Sequence, residues 1–378
     1  MNIGIIDADL IGRQKHRFPN LACMKISSFY KQQGHNVELL TSYDTVENYD
    51  KIFISKVFTD TPLPEDITAL SWVEYGGTGF FYDKAPPLDT NIEHSFPDYH
   101  LYDNFINTQI NAAILSAEDE DEIDKIRRKK LNEFKYYLDY SIGFTTRGCI
   151  RGCSFCVNKN YKQCLKHSPV SEFLDPKRKY ICLLDDNVLS CKDWKNIFLE
   201  LNATGKRFQF KQGMDERLLT DEKCEIIFNS NWIGDYIFAF DNIKDQKIVE
   251  KKLKLIRTHT DKIPKFYCFC AYNHNSPDSY NSEFWGNDIK DLFERIKILI
   301  SYRALPYIMR YPDYRLSPYK GIYITVARWC NQPSFIKKMS FREFCEANGK
   351  KSSSMKYLKE FEEKHPDIAK QYFDLKWL

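Results

Sequence analysis

Between residues 140 and 310 the chain alternates six short apolar runs with longer amphipathic stretches, and this alternation restricts the fold more than any other feature. The runs cover 142–145, 180–184, 208–211, 236–240, 265–269 and 306–310, and helical patterns over 192–201, 221–229, 245–257 and 288–301 separate most of them. Strands joined through helices lie parallel, so the region predicts an α/β fold with a parallel sheet curled into a partial (βα)6 TIM-like barrel. Eight units would need more chain than remains. After residue 319 the pattern is less regular, and 340–378 reads as a polar helical tail.

The front of the chain has its own α/β signature. NIGIID at 2–7 is a β-branched run of the kind buried in a parallel sheet, and further strands are expected at 37–40 and 51–56. A helix is expected over 21–33, with Leu21, Met24, Ser28 and Phe29 on one face and Gly34 at its C-cap. This is the opening of a doubly wound, Rossmann-like domain. Residues 76–102 are rich in Gly, Pro, Asp and aromatics and read as turns and loops. The run AEDEDEIDKIRRKK at 117–130 places acids before bases, the order that suits a helix dipole, and reads as a solvated linker helix. The expected organisation is a Rossmann-like domain at 1–115, a linker helix at 116–138, the partial barrel at 139–318 and a C-terminal extension at 319–378.

Composition removes several function classes. With 55 Lys+Arg against 52 Asp+Glu in 378 residues, the formal charge is +3, which excludes a polyanion-coating protein. A hydrophobic content of 43% excludes a mainly disordered chain. No apolar run approaches the roughly 18–20 residues that span a bilayer, and the first residues lack an export signal, so no membrane association is expected and a cytosolic location is. Basic clusters such as Lys177-Arg178-Lys179 and Lys251-Lys252 are short and mixed with acids, so they read as solvated faces and give nucleic-acid binding no support.

Twelve cysteines in a chain of this length are too dilute for a disulfide scaffold, and the useful question is whether any are spaced as ligands. Cys149, Cys153 and Cys156 are, as C-x3-C-x2-C on a glycine-punctuated loop just after the first barrel strand. Three thiolates there occupy three corners of a sulfur-preferring centre and leave a fourth open for substrate or cofactor. The loop also follows the carboxyl end of a strand, where barrel enzymes place their chemistry. A zinc site with Cys164 or His167 as fourth ligand is the bland alternative. Cys23, Cys182, Cys191, Cys224, Cys330 and Cys345 read as buried hydrophobes, and so do Cys268 and Cys270, which share a strand face.

The segment CIRGCSFC, with Phe155 just before its third cysteine, resembles the signature of the radical S-adenosylmethionine superfamily. The resemblance implies a 4Fe-4S cluster on Cys149, Cys153 and Cys156, with S-adenosylmethionine chelating the remaining iron. Reductive cleavage then gives a 5′-deoxyadenosyl radical that abstracts hydrogen from a substrate. Such an enzyme needs an electron donor such as a flavodoxin or ferredoxin. CLLDDNVLS at 182–190 resembles the second-strand segment of these barrels, which makes Asp185 and Asp186 candidates for the cofactor's ammonium. FKQGMDERLL at 210–219 resembles the third-strand segment, with Gln212, Asp215 and Arg217 as cleft candidates. Asp241, Asn273, His274 and Arg310 stand at later strand ends. The family's glycine-rich motif near the fifth strand is not recognisable here.

The front domain is similar to the cobalamin-binding domain that precedes many radical enzymes, in the stretch RFPNLACMKISSFYKQQGHNVELL and in GGTGF at 76–80. Cobalamin binders with an imidazole axial ligand read D-x-H-x-x-G after the first strand. This chain has Asp7-Ala8-Asp9-Leu10-Ile11-Gly12, with Asp9 in the histidine's place and His16 out of register. A degenerate domain without cobalamin is therefore expected. The methylthiotransferase subclass is disfavoured, because its front domain would carry three further cluster cysteines and this one has Cys23 alone. The substrate, whether small molecule, peptide or nucleotide, stays open, as do a cobalamin-dependent methyltransferase and a non-catalytic zinc or interaction protein. No catalytic side chain is assigned.

Overall fold

The computed structural model describes residues 1–159, 161–276 and 279–377. The chain divides into two compact units, Met1–Asp185 with Glu200–Phe208 and Asp186–Leu199 with Gln209–Leu378. Among the described residues no helix is long and apolar enough to cross a membrane.

The first unit opens with a four-stranded parallel sheet of β1 (Asn2–Asp7), β2 (Asn36–Leu40), β3 (Lys51–Ser55) and β4 (Val73–Gly76), in the order β2-β1-β3-β4. β1 is covered on both faces. Ile3 and Ile5 pack with Cys23, Met24 and Phe53 on one side, and Ile6 packs with Leu40, Ile52 and Ile54 on the other. Each fully buried isoleucine contributes about 1.5–3 kcal/mol, which is why an unbroken β-branched run marks a central strand. Helix α1 (Leu21–Gln32) starts where expected because the Asn20 side chain accepts from the amides of Ala22 and Cys23.

β4 is not expected from the sequence and ends where the stretch read as loops begins. It is an edge strand with Val73 as its one buried residue, so it carries almost no apolar pattern. Gly77 follows at φ +103°, and a Cβ there would lie 2.3 Å from the carbonyl oxygen of Lys56. Gly77 thus serves the close approach of two segments, as does Gly79, where a Cβ would lie 2.6 Å from the Lys56 side chain. Helix α2 (Asp103–Ile114) also escapes the sequence reading, since its buried residues are Ile106 and Ile110 alone. Helix α3 (Glu120–Glu133) carries the acid-then-base run, buries nothing and is capped by Asp119, as a solvated helix should be.

β5 (Tyr140–Gly143) ends two residues before the expected strand does. It is followed by an unexpected antiparallel hairpin of β6 (Thr146–Arg147) and β7 (Leu165–Lys166). β8 (Tyr180–Leu183) pairs in parallel with β5, and β9 (Arg207–Phe210) completes a sheet of order β5-β8-β9. Arg178, read as part of a solvated basic cluster, is instead buried. Its guanidinium donates to the carbonyls of Tyr137, Tyr140 and Tyr99 and covers the Tyr99 ring.

In the second unit β10 (Ile237–Ala239), β11 (Lys265–Cys270) and β12 (Leu305–Arg310) form a parallel sheet in chain order, and Met214 adds a parallel bridge to Phe238. The intervening helices are α4 (Asp221–Asn229), α5 (Gln246–His259) and α6 (Ser282–Ser301). α6 begins six residues earlier than expected, after the cap Asn281, whose side chain accepts from the Phe284 amide. The six expected strands are therefore all present, as two three-stranded sheets. The tail is less polar than its sequence suggests. Its helices α7 (Phe341–Ala347), α8 (Ser353–Lys364) and α9 (Pro366–Tyr372) bring Phe341, Phe361 and Phe373 together, and Phe341 and Phe373 pack on Phe293 of α6.

Candidate metal and cofactor site

The cysteine loop is anchored before it is a site. Just past β5 the amides and hydroxyls of Thr145 and Thr146 all donate to the carboxylate of Asp185, at 2.6–2.9 Å. Asp185 is buried, and burial raises its carboxyl to about 6 against the opposing pull of these four bonds. Gly148 then turns the chain at φ +94°, where a Cβ would lie 2.3 Å from the carbonyl oxygen of Gln163. The β6–β7 hairpin, with Thr146 opposite Lys166 and Arg147 opposite Leu165, closes the base of the loop.

Burial separates the cysteines into two sets. Cys149, Cys153 and Cys156 are half-exposed, whereas the other nine are buried. Burial pushes the Cys224 thiol up to about 11 and those of Cys268 and Cys345 up to about 12, which keeps them from acting as thiolates. Within the loop the Cys156 amide donates to the Cys153 carbonyl at 3.0 Å. The amides of Arg151 and Asn158 donate to the sulfurs of Cys149 and Cys156, each at 3.3 Å. Backbone donors aimed at sulfur stabilise thiolate charge and tune the potential of a sulfur-held metal centre. Among the described residues no three Cys, His, Asp or Glu side chains already stand as a metal-holding group. The donor set nevertheless fits an iron–sulfur cluster, with three soft ligands, amide support for two of them, and no fourth cysteine within the motif.

Two residues that the sequence reading did not single out touch this loop. Tyr82 donates its hydroxyl to the Phe155 carbonyl at 2.9 Å, and Asp83 pairs with Lys159 at 3.1 Å. Both follow GGTGF, so that segment ends in a strap on the half-buried Phe155 and on Lys159. Tyr82 adopts φ +49°, an uncommon conformation for a non-glycine residue.

At the front sheet, the crevice between the carboxyl ends of β1 and β3 is the topological switch point, where open α/β sheets bind ligands. Here it holds Asp9, which accepts from the amides of Val57 at 2.7 Å and Phe58 at 3.4 Å and from the Thr61 hydroxyl. Asp9 is a buried loop staple and offers no metal ligand. His16 packs edge-on to Phe58.

In the second unit, Gln212 is exposed and Asp186 half-buried. Asp215 caps the turn after β9 and pairs with Arg217 at 2.7 Å, and Arg217 reaches Asp245 at 3.0 Å. Their neighbour Glu216, not singled out from sequence, is 2% exposed, and its Oε2 has no hydrogen-bond partner among the described residues. Burial and the nearby Asp215 and Asp241 raise its carboxyl to about 8. Asp241 lies two residues beyond β10, accepts from the Phe269 amide at 3.0 Å, and is pushed up by burial. Beside it, buried Arg295 of α6 donates to the carbonyls of Phe240 and Phe269. Asn273 and His274 line a polar cavity of about 330 Å³ with Asn242, Lys244 and Asp288, and burial lowers the His274 imidazole. Arg310 ends β12, is exposed and lies over the Tyr314 ring.

No family description and no curated protein matches this chain. A solved structure does: the radical S-adenosylmethionine methyltransferase TsrM from Kitasatospora setae, with cobalamin and a [4Fe-4S] cluster bound. It is 11% identical, with a TM-score of 0.51 over 82% of this chain and 74% of that one. TsrM with its tryptophan substrate and an aza analogue of S-adenosylmethionine bound matches at 11% identity and TM-score 0.50, over 81% and 72%. This chain shares its fold with TsrM. In this chain the half-exposed cysteines stand on the loop that follows β5 and is closed by the β6–β7 hairpin.

Proposed function

We propose that this chain is a radical S-adenosylmethionine enzyme. The observation that carries the proposal is the separation of Cys149, Cys153 and Cys156 from nine buried cysteines, on a loop pinned behind β5 in a fold shared with TsrM. In this reading the three thiolates hold a 4Fe-4S cluster, which with S-adenosylmethionine supplies a 5′-deoxyadenosyl radical for hydrogen abstraction. The chain's own part is positional. Asp185 holds Thr145 and Thr146 so that the loop leaves β5 in one direction. The amides of Arg151 and Asn158 temper charge on two sulfurs. Phe155 walls the loop within the first unit.

Anaerobic reconstitution tests this. A brown protein that forms 5′-deoxyadenosine from S-adenosylmethionine and dithionite is expected, and Cys153→Ala should abolish both colour and product. Colourless protein with stoichiometric zinc after anaerobic purification would establish the rival zinc reading instead.

A second reading, a cobalamin-dependent methyltransferase, is favoured by the match to TsrM with cobalamin bound over 82% of this chain. That match counts against the expectation of a front domain without cobalamin. Because Asp9 is engaged by Val57, Phe58 and Thr61, cobalamin here would bind without an axial ligand from the β1 loop. Retention of cobalamin through gel filtration, with S-adenosylhomocysteine as co-product, would support this reading over the first.

A further inference from the structure

We propose that the polar cavity of the second unit, past the carboxyl ends of β10 and β11, binds a saccharide through its adjacent hydroxyls. As a substrate, that saccharide depends on the radical-enzyme reading above, whereas its binding does not. The cavity holds about 330 Å³, at the lower end of the roughly 300–1,000 Å³ of small-molecule sites. Its lining residues Asn242 and Tyr272 follow β10 and β11, at the strand ends where parallel α/β sheets take their ligands.

One wall is a face of α6. Phe284, Asn287, Asp288 and Asp291 stand at i, i+3, i+4 and i+7 and so share a side of the helix. Asp288 is held in place, because its Oδ2 accepts from the Tyr323 hydroxyl at 2.6 Å and from the Ala271 amide at 2.9 Å. Ala271 has φ +64°, a left-handed conformation that a residue with a Cβ keeps only where its surroundings over-determine it.

The lining mixes donors and acceptors that the protein leaves unused. The side-chain carbonyls of Asn242 and Asn281 accept from the amides of Lys244 at 3.0 Å and Phe284 at 2.8 Å, and their NH2 groups have no partner among the described residues. Among the same residues the Asn287 side chain makes no hydrogen bond, and Asp288 Oδ1 and both carboxylate oxygens of Asp291 accept none. Burial pushes the Asp288 and Asp291 carboxyls up and the His274 imidazole down, so the cavity is nearer neutral than its residue types suggest.

This mixture selects the ligand. An anion such as phosphate would face Glu283, Asp288 and Asp291, while Lys244 is already engaged by Asn275 at 3.2 Å. An ammonium or guanidinium group only donates, which would leave the amides of Asn242, Asn281 and Asn287 without acceptors. A hydroxyl does both. Neighbouring hydroxyls of a sugar ring therefore satisfy an amide and a carboxylate side by side, and Tyr272 and Phe284 add aromatic surface for the ring's apolar C–H face.

The test uses the full-length reconstituted enzyme and saturation-transfer NMR with glucose, galactose, mannose, N-acetylglucosamine and their methyl glycosides at millimolar concentration. At least one should receive saturation, and Asn287→Ala/Asp291→Ala should weaken its binding roughly tenfold or more, with thermal unfolding showing the fold retained. Asp291→Asn keeps an acceptor and loses the charge, so the sugar should bind it within about threefold of wild type, which a cationic ligand would not. No transfer from any sugar, unchanged binding in the double variant, or tighter binding of putrescine than of every sugar overturns the proposal. So does displacement of the sugar by S-adenosylmethionine in direct competition, which would make the cavity the cofactor's. Formation of 5′-deoxyadenosine plays no part in these readouts, so failure of the radical-enzyme reading leaves them intact.

Discussion

Glu216→Gln should remove a pH dependence from folding stability. The wild-type carboxyl is 2% exposed, has one oxygen without a partner among the described residues, and neighbours Asp215 and Asp241. The Arg217 Nε lies 3.9 Å from its Oε1. Burial, the largest cause, raises it from 4.5 to about 8. Between those values the folded chain keeps a proton that the unfolded chain has released. Stability from this group is therefore fully present below about pH 4.5 and is lost as pH rises towards 8, with a slope approaching 1.36 kcal/mol per unit. The whole window corresponds to about 5 kcal/mol, a ceiling that relaxation and water entry reduce. Glutamine keeps the shape and has no proton to lose. It also brings a buried amide donor that costs about 1–3 kcal/mol at every pH, so the slope is the quantity to read. Urea unfolding of both proteins from pH 5 to 9, with thiols reduced, should give a wild-type curve that falls relative to the variant's by several kcal/mol. Parallel curves would show that Glu216 ionises as an ordinary carboxyl and would refute the argument.

Asp185→Ala leaves four donors of Thr145 and Thr146 without their acceptor, which should cost about 2–4 kcal/mol and accelerate alkylation of Cys149 in metal-free protein, as mass spectrometry can follow. Gly77→Ala meets both a left-handed backbone and the Lys56 carbonyl 2.3 Å from the new Cβ. A loss of about 2–4 kcal/mol is expected, against about 1 kcal/mol for Gly34→Ala, which has nothing within 4 Å, both read by thermal unfolding. Burial lowers the His167 imidazole, so the unfolded chain takes up a proton first as pH falls. Stability from this group should decline below about pH 6.5, and His167→Gln should flatten that part of the curve.

Elements whose apolar residues are buried in a regular period were legible in the sequence. β1 was read with its observed boundaries because five of its six residues are buried, and α4 because caps and period agree. What was missed has little buried surface to write a pattern. β4 buries Val73, α2 buries two isoleucines, and the β6–β7 hairpin has two residues per strand. The tail misled in the opposite sense: Phe341, Phe361 and Phe373 stand among charged residues, and the core they form depends on contacts distant in sequence. Arg178 shows the same limit, because three backbone carbonyls that no motif encodes decide its burial.

The cysteines and the acids of the candidate site differ in legibility for a physical reason. A carboxylate at the carboxyl end of a parallel strand has two possible uses, since loops there also expose amides that need an acceptor. Asp7 accepts from Leu10 and Tyr102, Asp9 from Val57, Phe58 and Thr61, Asp185 from two threonines, and Asp241 from Phe269. Sequence position selects Asp185 and Asp241 as cofactor contacts, and the donors of their own loops mark them, like Asp7 and Asp9, equally as staples. Glu216, which the motif reading passed over beside Asp215 and Arg217, is the buried acid with an oxygen left over among the described residues. Cysteine has no comparable second use as a loop acceptor. Its alternative is burial, which nine of the twelve adopt, so half-exposure on a glycine-turned loop is itself the discriminating signal. A search for the cofactor's polar contacts in this fold is therefore better guided by unspent hydrogen-bonding capacity than by the ends of strands.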